Sequence, residues 1–594
     1  MHKRFLGLFA SAAIIAAACG GATSSSAPPA STDPGASSEA STPPASGGMA
    51  AEQILKVDIG GEPPTLDLNK AQDSNSIAIL SGLSRGLVYV DNDNKVVPSL
   101  AETWDVSPDA KTLTFHLRDA KYSNGEPIVA ADFVRSFRRL ADPRTAAPYS
   151  YVAAEIAGAG DLLAMAGADP LPAEAEITAA LDKLGVAAPD EKTFVITLGT
   201  PATYFLSALT LWVFAPIQES WLNADGSMKT EAGDFVSSGP FILDAWLHQS
   251  SIVMKPNPNW WGEAPKLAEI RVSMSPEPAQ AMASYETGEI DMLLPVPSED
   301  IERVKSDPVL STQYSEGASL AITYYTFNNG TDPSGEGTLK RCQGADGKPD
   351  FKKCPTMNKD FRIALTQAVD KKAFQDATFA GIGQISCSMV MPGLPGAIPD
   401  YCPYTYDLDA AKASMAKALT AIGYASAADI PPLKFGFNSG SGHEPRVAFL
   451  AQAWKDAFGL QTEQIGSEFG VFLSQRTAGE YDLARDGWGA DYPHANNQIA
   501  GLFTCGGGNN DDQYCNPAVD DLINQAAAEA DQTKQAALYE QAGKLISDDA
   551  AALFLRWGVN QQLIAPYVAG VVKSPMDSVV PGERHWESIY LTER

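Results

Sequence analysis

Segments with the period of a β-strand and segments with the period of a helix are interleaved along most of this chain. Residues 112–118 and 193–198 alternate apolar and polar side chains, as half-buried strands do, and residues 551–559 also have a strand pattern. Apolar residues recur at helical intervals in four segments, which are 131–140, 358–379, 444–460 and 516–550. Because the two kinds of segment are intermixed and no internal repeat is present, the sequence predicts an α/β fold.

The chain is long and acidic. Its 594 residues exceed what one ordinary hydrophobic core organises, so we expect two or more domains. The formal net charge is −29, which should repel nucleic acid, so we predict no nucleic-acid partner.

The N-terminus has the pattern of an export signal. Residues 2–4 are basic or histidine, and the apolar run 5–18 is shorter than a membrane span requires. Small residues precede Cys19, as in lipoprotein signals, although Ala16 stands where a leucine is typical. We expect a signal peptide over 1–18 and lipid on Cys19, which would anchor an exported protein to the outer face of the cell membrane. Cleavage without lipidation and an uncleaved anchor stay open as alternatives.

A low-complexity segment follows the proposed lipidation site. Residues 20–50 are rich in Ser, Pro, Ala and Gly and cannot bury a core, which is typical of a flexible stalk. We therefore assign 19–53 as a linker and expect folded structure from about Ile54.

Six further cysteines fall into three close pairs. In an exported chain such an even set indicates disulfides rather than a metal site, since no tight Cys spacing or neighbouring histidine is present. Six cysteines allow 15 connectivities, and local pairing is the simplest of them. The pairs are Cys342 with Cys354, Cys387 with Cys402, and Cys505 with Cys515.

The segment YDLARDGWGADYPHANN, residues 481–497, carries two opposite charges separated by glycines. In an extended chain Arg485, Gly487, Gly489 and Asp491 share one face and Trp488 points to the other. The two charges then lie at most about 20 Å apart. Bare glycines let another backbone approach, so the segment suits a zwitterionic chain molecule, although an internal ion pair is the alternative.

Two short motifs match a catalytic and a calcium-binding pattern, but the sequence around each of them does not fit that function. Ser84 lies in GLSRG, which matches a hydrolase nucleophile elbow, but helical rather than strand periodicity precedes it. Residues 91–95 begin like a calcium loop, yet Lys95 and Val96 occupy ligand and glycine positions, so a hairpin turn is favoured. We predict no metal, no cofactor and no enzymatic activity.

Several segments, in order, resemble one family, the solute-binding proteins of oligopeptide and dipeptide ABC transporters (family 5). The resemblance runs from about Ile54 to Arg594, and it is most specific for the oligopeptide branch. The segments that carry it are 99–151, 233–243, 257–272, 285–292, 322–329, 361–374 and 481–492.

This resemblance implies a two-lobed periplasmic-binding-protein fold of type II, with an extra domain inserted in lobe one and the ligand cleft between the lobes. The chain would cross to lobe two near Leu320 and return near Trp557, and hinge motion would close the lobes over the ligand. The implied boundaries are 54–81, 225–320 and 557–594 for lobe one, 82–224 for the inserted subdomain and 321–556 for lobe two.

The resemblance also implies roles for individual residues. Asp491 would bind the α-ammonium of a peptide and Arg485 would neutralise its carboxylate end, whether by direct contact or by bracing Asp491. The peptide would pair its backbone with the protein as an added strand. One departure concerns peptide length, because Phe379 stands where the family can supply a lysine. The other implied ligand-binding residues are Trp488, Gly487, Gly489, His443, Phe469, Tyr149, Gly61, Glu62, Tyr324 and Trp557.

The function implied by the resemblance is capture of oligopeptides for an ABC importer. The partners would be the peptide, the permease subunits and, through the lipid, the membrane, and the protein would be a monomer. The same fold could instead bind a dipeptide, an oligosaccharide or a metal chelate, although sugars lack ionic ends. A secreted serine hydrolase using Ser84 is the alternative from a different class.

Overall fold

The computed structural model describes residues 48–91, 95–168, 170–330, 339–439 and 442–594. Within these ranges no helix combines the length and apolar character that a membrane crossing needs. The expected signal peptide, Cys19 and most of the linker lie outside the described residues, as do residues 92–94 of the calcium-loop motif.

Helices make up much of both halves of the chain. They are α1 (Ser74–Leu83), α2 (Ala130–Ala141), α3 (Ala159–Ala166), α4 (Glu174–Leu181), α5 (Phe205–Ala208), α6 (Pro278–Glu286), α7 (Ile301–Ser306), α8 (Leu310–Gln313), α9 (Lys359–Gln367), α10 (Lys371–Phe379), α11 (Leu408–Ile422), α12 (Glu444–Phe458), α13 (Phe469–Thr477), α14 (Ala495–Phe503), α15 (Pro517–Ala528) and α16 (Gln532–Asp548).

Strands are interspersed among these helices. They are β1 (Ile54–Asp58), β2 (Val88–Val90), β3 (Val96–Pro98), β4 (Ala101–Val106), β5 (Thr112–Leu117), β6 (Val186–Ala187), β7 (Thr193–Thr197), β8 (Phe241–Leu247), β9 (Ser251–Pro256), β10 (Glu269–Ser273), β11 (Met292–Leu293), β12 (Tyr314–Phe327), β13 (Gln384–Ile385), β14 (Leu433–Asn438), β15 (Thr462–Ser467), β16 (Leu483–Gly489), β17 (Ala552–Ile564), β18 (Val568–Ala569) and β19 (Tyr590–Leu591).

One strongly periodic segment differs from its sequence-based assignment. Residues 358–379 are two helices, α9 and α10, rather than one. The second begins because the side chain of Asp370 accepts a hydrogen bond from the N–H of Ala373, which caps a new helix start. The predicted break within 516–550 is confirmed, and Asp531 caps its second helix by accepting from the N–H groups of Thr533 and Lys534.

An 11-stranded sheet runs through the molecule in the order β15-β14-β16-β12-β17-β11-β1-β10-β9-β8, with β13 paired to β17. Its middle is formed by the two long antiparallel strands β12 and β17. Their pairing is interrupted between Ala318 and Ile322, where the register shifts. These two strands therefore connect the two halves of the sheet, close to the positions Leu320 and Trp557 expected for the chain crossings.

The hydrophobic cores separate along the same division. One large core draws its residues from 55–292 and 565–591, joined by Tyr492. Two others draw theirs from 320–557, joined by Met576. The molecule thus has two lobes that exchange a few side chains at their contact.

A smaller four-stranded sheet, in the order β4-β5-β7-β6, lies within the segment predicted to be inserted in lobe one. Helix α2 packs on it through Phe133 and Phe137, whose rings lie 5.5 and 5.1 Å from that of Phe194. The apolar stripe at helical spacing is buried against the alternating strands, as both patterns predict. The boundaries of this subdomain stay a prediction.

The predicted local disulfides are confirmed. Cys342 bonds to Cys354, Cys387 to Cys402, and Cys505 to Cys515. The last of these closes the loop between α14 and α15, directly after the segment that carries Asp491.

Candidate functional site

Strand β16 carries the glycine-rich segment and has one open edge. Strand β12 pairs antiparallel with all of Leu483–Gly489. On the other edge β14 reaches only Leu483 and Ala484. From Arg485 onwards that edge has no strand partner among the described residues, so it is open to an added chain, although the Gly487 N–H already donates to Asp486 Oδ1 at 2.8 Å.

The two glycines of β16 keep this edge accessible. Gly487 and Gly489 are both exposed. A Cβ atom placed on Gly489 would meet no other atom within 4 Å, which means that the side-chain position opens into free space. A second backbone can therefore approach this part of the strand closely.

Asp491 follows the open strand and is held by neutral donors. The Tyr149 hydroxyl donates to its Oδ1 at 2.9 Å, and the Asn497 amide donates to its Oδ2 at 2.9 Å. Asn497 Oδ1 in turn accepts from the Asp491 backbone N–H and from the Trp488 indole N–H, each at 3.0 Å. One asparagine thus fixes the carboxylate, its backbone and the neighbouring indole.

In the part of the chain that the structure describes, no cationic side chain forms an ion pair with the Asp491 carboxylate. Within the described ranges no lysine or arginine lies at ion-pair distance from it, and Arg584 acts on it only at longer range. Burial raises the pKa of Asp491 above its usual value, against the opposing hydrogen bonds from Asn497 and Tyr149. A buried carboxylate in this state is stabilised by any cation that enters beside it.

The lobes meet at this end of the cleft. Tyr149 belongs to the first lobe and Asp491 to the second, so their hydrogen bond bridges the two. The ring of Tyr204 stacks on that of Tyr492 at 6.4 Å, and the N–H of Thr203 donates to the carbonyl of Ala527 at 3.0 Å. The structure therefore shows the lobes in contact around the carboxylate.

Arg485, at the opposite end of the open edge, faces a cavity of about 510 Å³. Its Nε donates to Asn438 Oδ1 at 2.5 Å, and its guanidinium lies over the rings of Phe469 and Phe472 at 5.6 and 5.3 Å. The cavity is lined by Asn438, Ser439, His443, Glu468, Phe469 and Arg485. The structure thus brings together three residues singled out in the sequence, Arg485, His443 and Phe469.

Two charged side chains line this cavity, Arg485 and Glu468. Arg485 has no carboxylate at ion-pair distance in the described part of the chain, because the adjacent Asp486 pairs with Arg476 at 2.8 Å. Burial, together with the charges of Arg485 and Arg446, lowers the pKa of His443 to about 4, so this imidazole is neutral at pH 7. Burial also lowers the pKa of Arg485, which nevertheless stays charged. The cavity offers a half-buried guanidinium to an anion.

Gly61 and Glu62, also predicted from the sequence, have hydrogen-bond partners within the protein. Glu62 accepts hydrogen bonds from His248 Nδ1 at 2.7 Å and from the Gln249 N–H at 2.6 Å, and the Gly61 carbonyl accepts from Asn75. Their ligand contacts stay a prediction.

Tyr324 and Trp557 are core residues in this conformation. Their exposed fractions are 1% and 3%, and the Tyr324 hydroxyl donates to Asp486 Oδ2 at 2.8 Å. Neither side chain offers more than a trace of surface to a ligand. Their alternating positions in strands β12 and β17 could not distinguish a cleft side chain from a buried one.

The candidate nucleophile Ser84 has an ordinary structural role. It directly follows helix α1, whereas an elbow requires a strand before the serine. Its hydroxyl donates to the carbonyl of Leu80 at 2.7 Å, and the side chain is buried. The geometry of a nucleophile elbow is therefore not formed at this position.

A family model described as bacterial extracellular solute-binding proteins, family 5 middle, matches residues 95–510 of this chain. Among curated relatives, the periplasmic oligopeptide-binding protein OppA of Salmonella typhimurium is 30% identical over 543 residues, which cover 89% of this chain and 92% of that protein. The oligopeptide-binding protein OppA of Bacillus subtilis is 28% identical over 506 residues, covering 83% and 86%.

Solved structures agree with these relatives. Haemophilus influenzae OppA, in complex with the peptide RPPGFSPFR, superposes with a TM-score of 0.74 and 25% identity, covering 92% of this chain and 100% of that one. The murein tripeptide-binding protein MppA of Escherichia coli has a TM-score of 0.75 at 24% identity with the same coverage, which bears on the fold alone. The predicted α/β, two-lobed, type II architecture is confirmed.

Proposed function

The chain belongs to the family 5 bacterial extracellular solute-binding proteins, and we propose that it captures oligopeptides outside the cytoplasm for an ABC importer. The observation that carries this proposal is the open edge of β16, which has an unpaired carboxylate near one end and an unpaired guanidinium near the other. Two of the relatives that match this chain are named for the oligopeptides they bind.

The arrangement matches the chemistry of a free peptide. A peptide at neutral pH carries an ammonium at one end, a carboxylate at the other, and main-chain donors and acceptors between them. Asp491 receives the ammonium, the Arg485 cavity receives the carboxylate, and the exposed edge at Gly487 and Gly489 pairs with the main chain. Each charge-assisted hydrogen bond contributes about 1.5–3 kcal/mol.

The affinity then comes mainly from the termini and the backbone of the peptide, so the protein needs few specific contacts with the peptide side chains. The exposed ring of Phe469 at the cavity gives an apolar wall without a fixed shape. Such a site accepts many sequences and is selective chiefly for free termini.

Delivery and anchoring complete the proposal. The protein is exported, anchored by lipid on Cys19 to the outer face of the cell membrane, and passes its ligand as a monomer to separate permease subunits. The basic and apolar N-terminal residues and the low-complexity stalk support this part. Metabolic labelling with a radioactive fatty acid tests it, because the Cys19→Ala variant must lose the label and leave the membrane fraction.

Isothermal titration calorimetry with matched peptides tests the ligand class. A free tetrapeptide of alanine should bind with 1:1 stoichiometry, whereas the same peptide with an acetylated N-terminus and an amidated C-terminus should bind far more weakly. Equal affinities for the two would refute recognition of the termini. Saturable binding heat from an oligosaccharide, with none from any peptide, would show that the ligand is a sugar rather than a peptide.

A further inference from the structure

Two arginines from distant parts of the chain contact one aromatic ring beside the Arg485 cavity. The guanidinium carbon of Arg446, in helix α12, lies 4.2 Å from the ring centroid of Phe379, at the end of helix α10. The guanidinium carbon of Arg556, in strand β17, lies 4.2 Å from the same centroid. The ring therefore holds two like charges close to each other.

Within the described ranges neither arginine has an acidic side chain at ion-pair distance, and Glu444 acts on Arg446 only at longer range. Arg446 Nε is buried without a hydrogen-bond acceptor. Arg556 is 9% exposed, and its Nε donates to the carbonyl of Ile382. Among the described residues, most N–H groups of these two guanidinium groups have no protein acceptor.

The pair is continuous with the proposed carboxylate cavity. Arg446 Nη1 lies 3.4 Å from His443 Nδ1, and His443 lines the cavity together with Arg485. The charged and titratable groups around this region are the three arginines, the neutral His443, the phenol of Tyr325, Glu444, which acts on His443 and Arg446 at longer range, and Glu468 at the far wall of the cavity. Burial and then the charge of Arg446 lower the pKa of Arg556 to about 10.

The register of the sheet places the pair beside the open edge. Arg556 is the cross-strand partner of Thr323, and Thr323 is the partner of Gly487. Cross-strand partners share a face, and two strand spacings amount to roughly 10 Å. A peptide paired along the open edge lies one further spacing out, roughly 15 Å from β17, so its side chain and that of Arg556 meet by extending towards each other over this shared face.

We propose that Arg446 and Arg556 form a second anion subsite, which takes the carboxylate side chain of an Asp or Glu residue within the bound peptide. The subsite would add, to the recognition of free termini, a preference for an acidic side chain at one position of the peptide. Concentrated positive charge without carboxylate partners is costly in a free protein, and an anionic ligand group removes that cost. The planar guanidinium groups suit a carboxylate because they offer paired donors. This inference rests on the proposed peptide-binding function.

Calorimetry with paired peptides tests the subsite. Tetra-alanine peptides carrying a single Glu at each position in turn are compared with the same peptides carrying Gln there. At one or more positions the Glu peptide should bind the wild-type protein about tenfold more tightly or better, from one charge-assisted contact. The all-alanine peptide provides the reference for the proposed function itself.

Variants of Arg446 and Arg556 test whether the preference for Glu over Gln depends on these two arginines. Arg446→Met and Arg556→Met keep an apolar stem against Phe379 and remove the charge, so the Glu preference should fall to within about twofold in each. Lys372→Met is the matched control, because it removes an exposed positive charge of helix α10 that pairs with Asp376 and has no contact with the Phe379 ring among the described residues. Arg446→Gln, at a half-buried position, gives a second test if the Arg556 variant does not fold.

The outcomes separate the two proposals. Equal affinity for Glu and Gln peptides at every position of the wild type, or an undiminished preference in the Arg446 variants, overturns the subsite while peptide binding stands. Failure of the all-alanine peptide and of every Glu and Gln peptide to bind overturns both. Loss of the Glu preference in Lys372→Met as well as in Arg446→Met would assign it to general surface charge and refute the subsite.

Discussion

The Asp491 carboxylate provides the sharpest test of how a peptide N-terminus is recognised. Replacing it with asparagine removes the charge and almost no volume. The new amide can still accept from Asn497 and donate to the Tyr149 hydroxyl, so both contacts seen in the structure have a substitute. We therefore expect Asp491→Asn to fold normally. Its thermal stability at pH 7 should equal or exceed that of the wild type, because burial disfavours the charged carboxylate in the ligand-free protein.

The expected loss of affinity follows from the missing charge partner. Removing one member of a buried, hydrogen-bonded charge pair across an interface costs about 2–5 kcal/mol. Asp491 retains partial exposure, so we expect a loss in the lower part of this range, about 2–3 kcal/mol. Such a loss corresponds to roughly 30- to 150-fold weaker peptide affinity. Acetylation of the peptide N-terminus removes the other member of the pair and should cost the wild type a similar amount.

Calorimetry on the four combinations of protein and peptide measures the coupling between them. If the ammonium contacts Asp491, acetylation costs the Asn variant less than about twofold, and the coupling energy is about 2 kcal/mol. Additive losses, with a coupling energy near zero, would show that the ammonium binds elsewhere. An acetylated peptide that binds the wild type as tightly as the free one would refute recognition of the N-terminus altogether.

Four further expectations concern the rest of the site and the scaffold. Affinity for free peptides should fall as pH drops through the raised pKa of Asp491, because ligand-free Asp491 then binds a proton that the peptide ammonium must displace. Calorimetry from pH 4 to 7 should show this loss of affinity in the wild type and not in Asp491→Asn. Arg485→Met should weaken free peptides about tenfold and C-terminally amidated ones hardly at all, and equal losses would contradict a carboxylate cavity. Gly489→Val should melt like the wild type yet bind peptides poorly, since its side chain enters the free space beside the strand edge, and unchanged affinity would place the peptide elsewhere. Replacing Cys505 and Cys515 together by serine removes a disulfide that closes a short loop, so the free energy of unfolding should fall by about 2–3 kcal/mol in denaturant titrations. An unchanged free energy of unfolding would mean that this disulfide is not formed in solution.

Local properties of the sequence predicted local features of the molecule. Alternation and glycine content identified the extended segment that became β16, and close spacing predicted the three disulfides. Strand and helix periodicity also predicted the α/β class. These features depend on residues that are near each other in the chain, so the sequence carries them directly.

Contacts that depend on the assembled fold were harder to predict. Tyr149 was expected near the ligand only through a family resemblance, and its bond to Asp491 joins residues 342 positions apart. Asn497 was missed because its role depends on the turn after β16, which brings the start of helix α14 back against the carboxylate.

The arginine pair was missed for the same reason. Arg446 has the pattern of a polar position on an amphipathic helix, and Arg556 lies in a segment for which the sequence predicts only a strand. The sequence showed only that Phe379 stands where the family can supply a lysine. The sheet register and the packing of α10 and α12 place both guanidinium groups on that ring.

A crystal structure of the protein with a bound free tetrapeptide tests the central claim most directly. The account predicts an extended peptide whose main chain hydrogen-bonds the edge of β16 between Arg485 and Gly489. Its ammonium should lie on the Asp491 carboxylate, and its C-terminus should point towards the Arg485 cavity. A peptide bound with its ends reversed, or bound away from the β16 edge, would contradict the account.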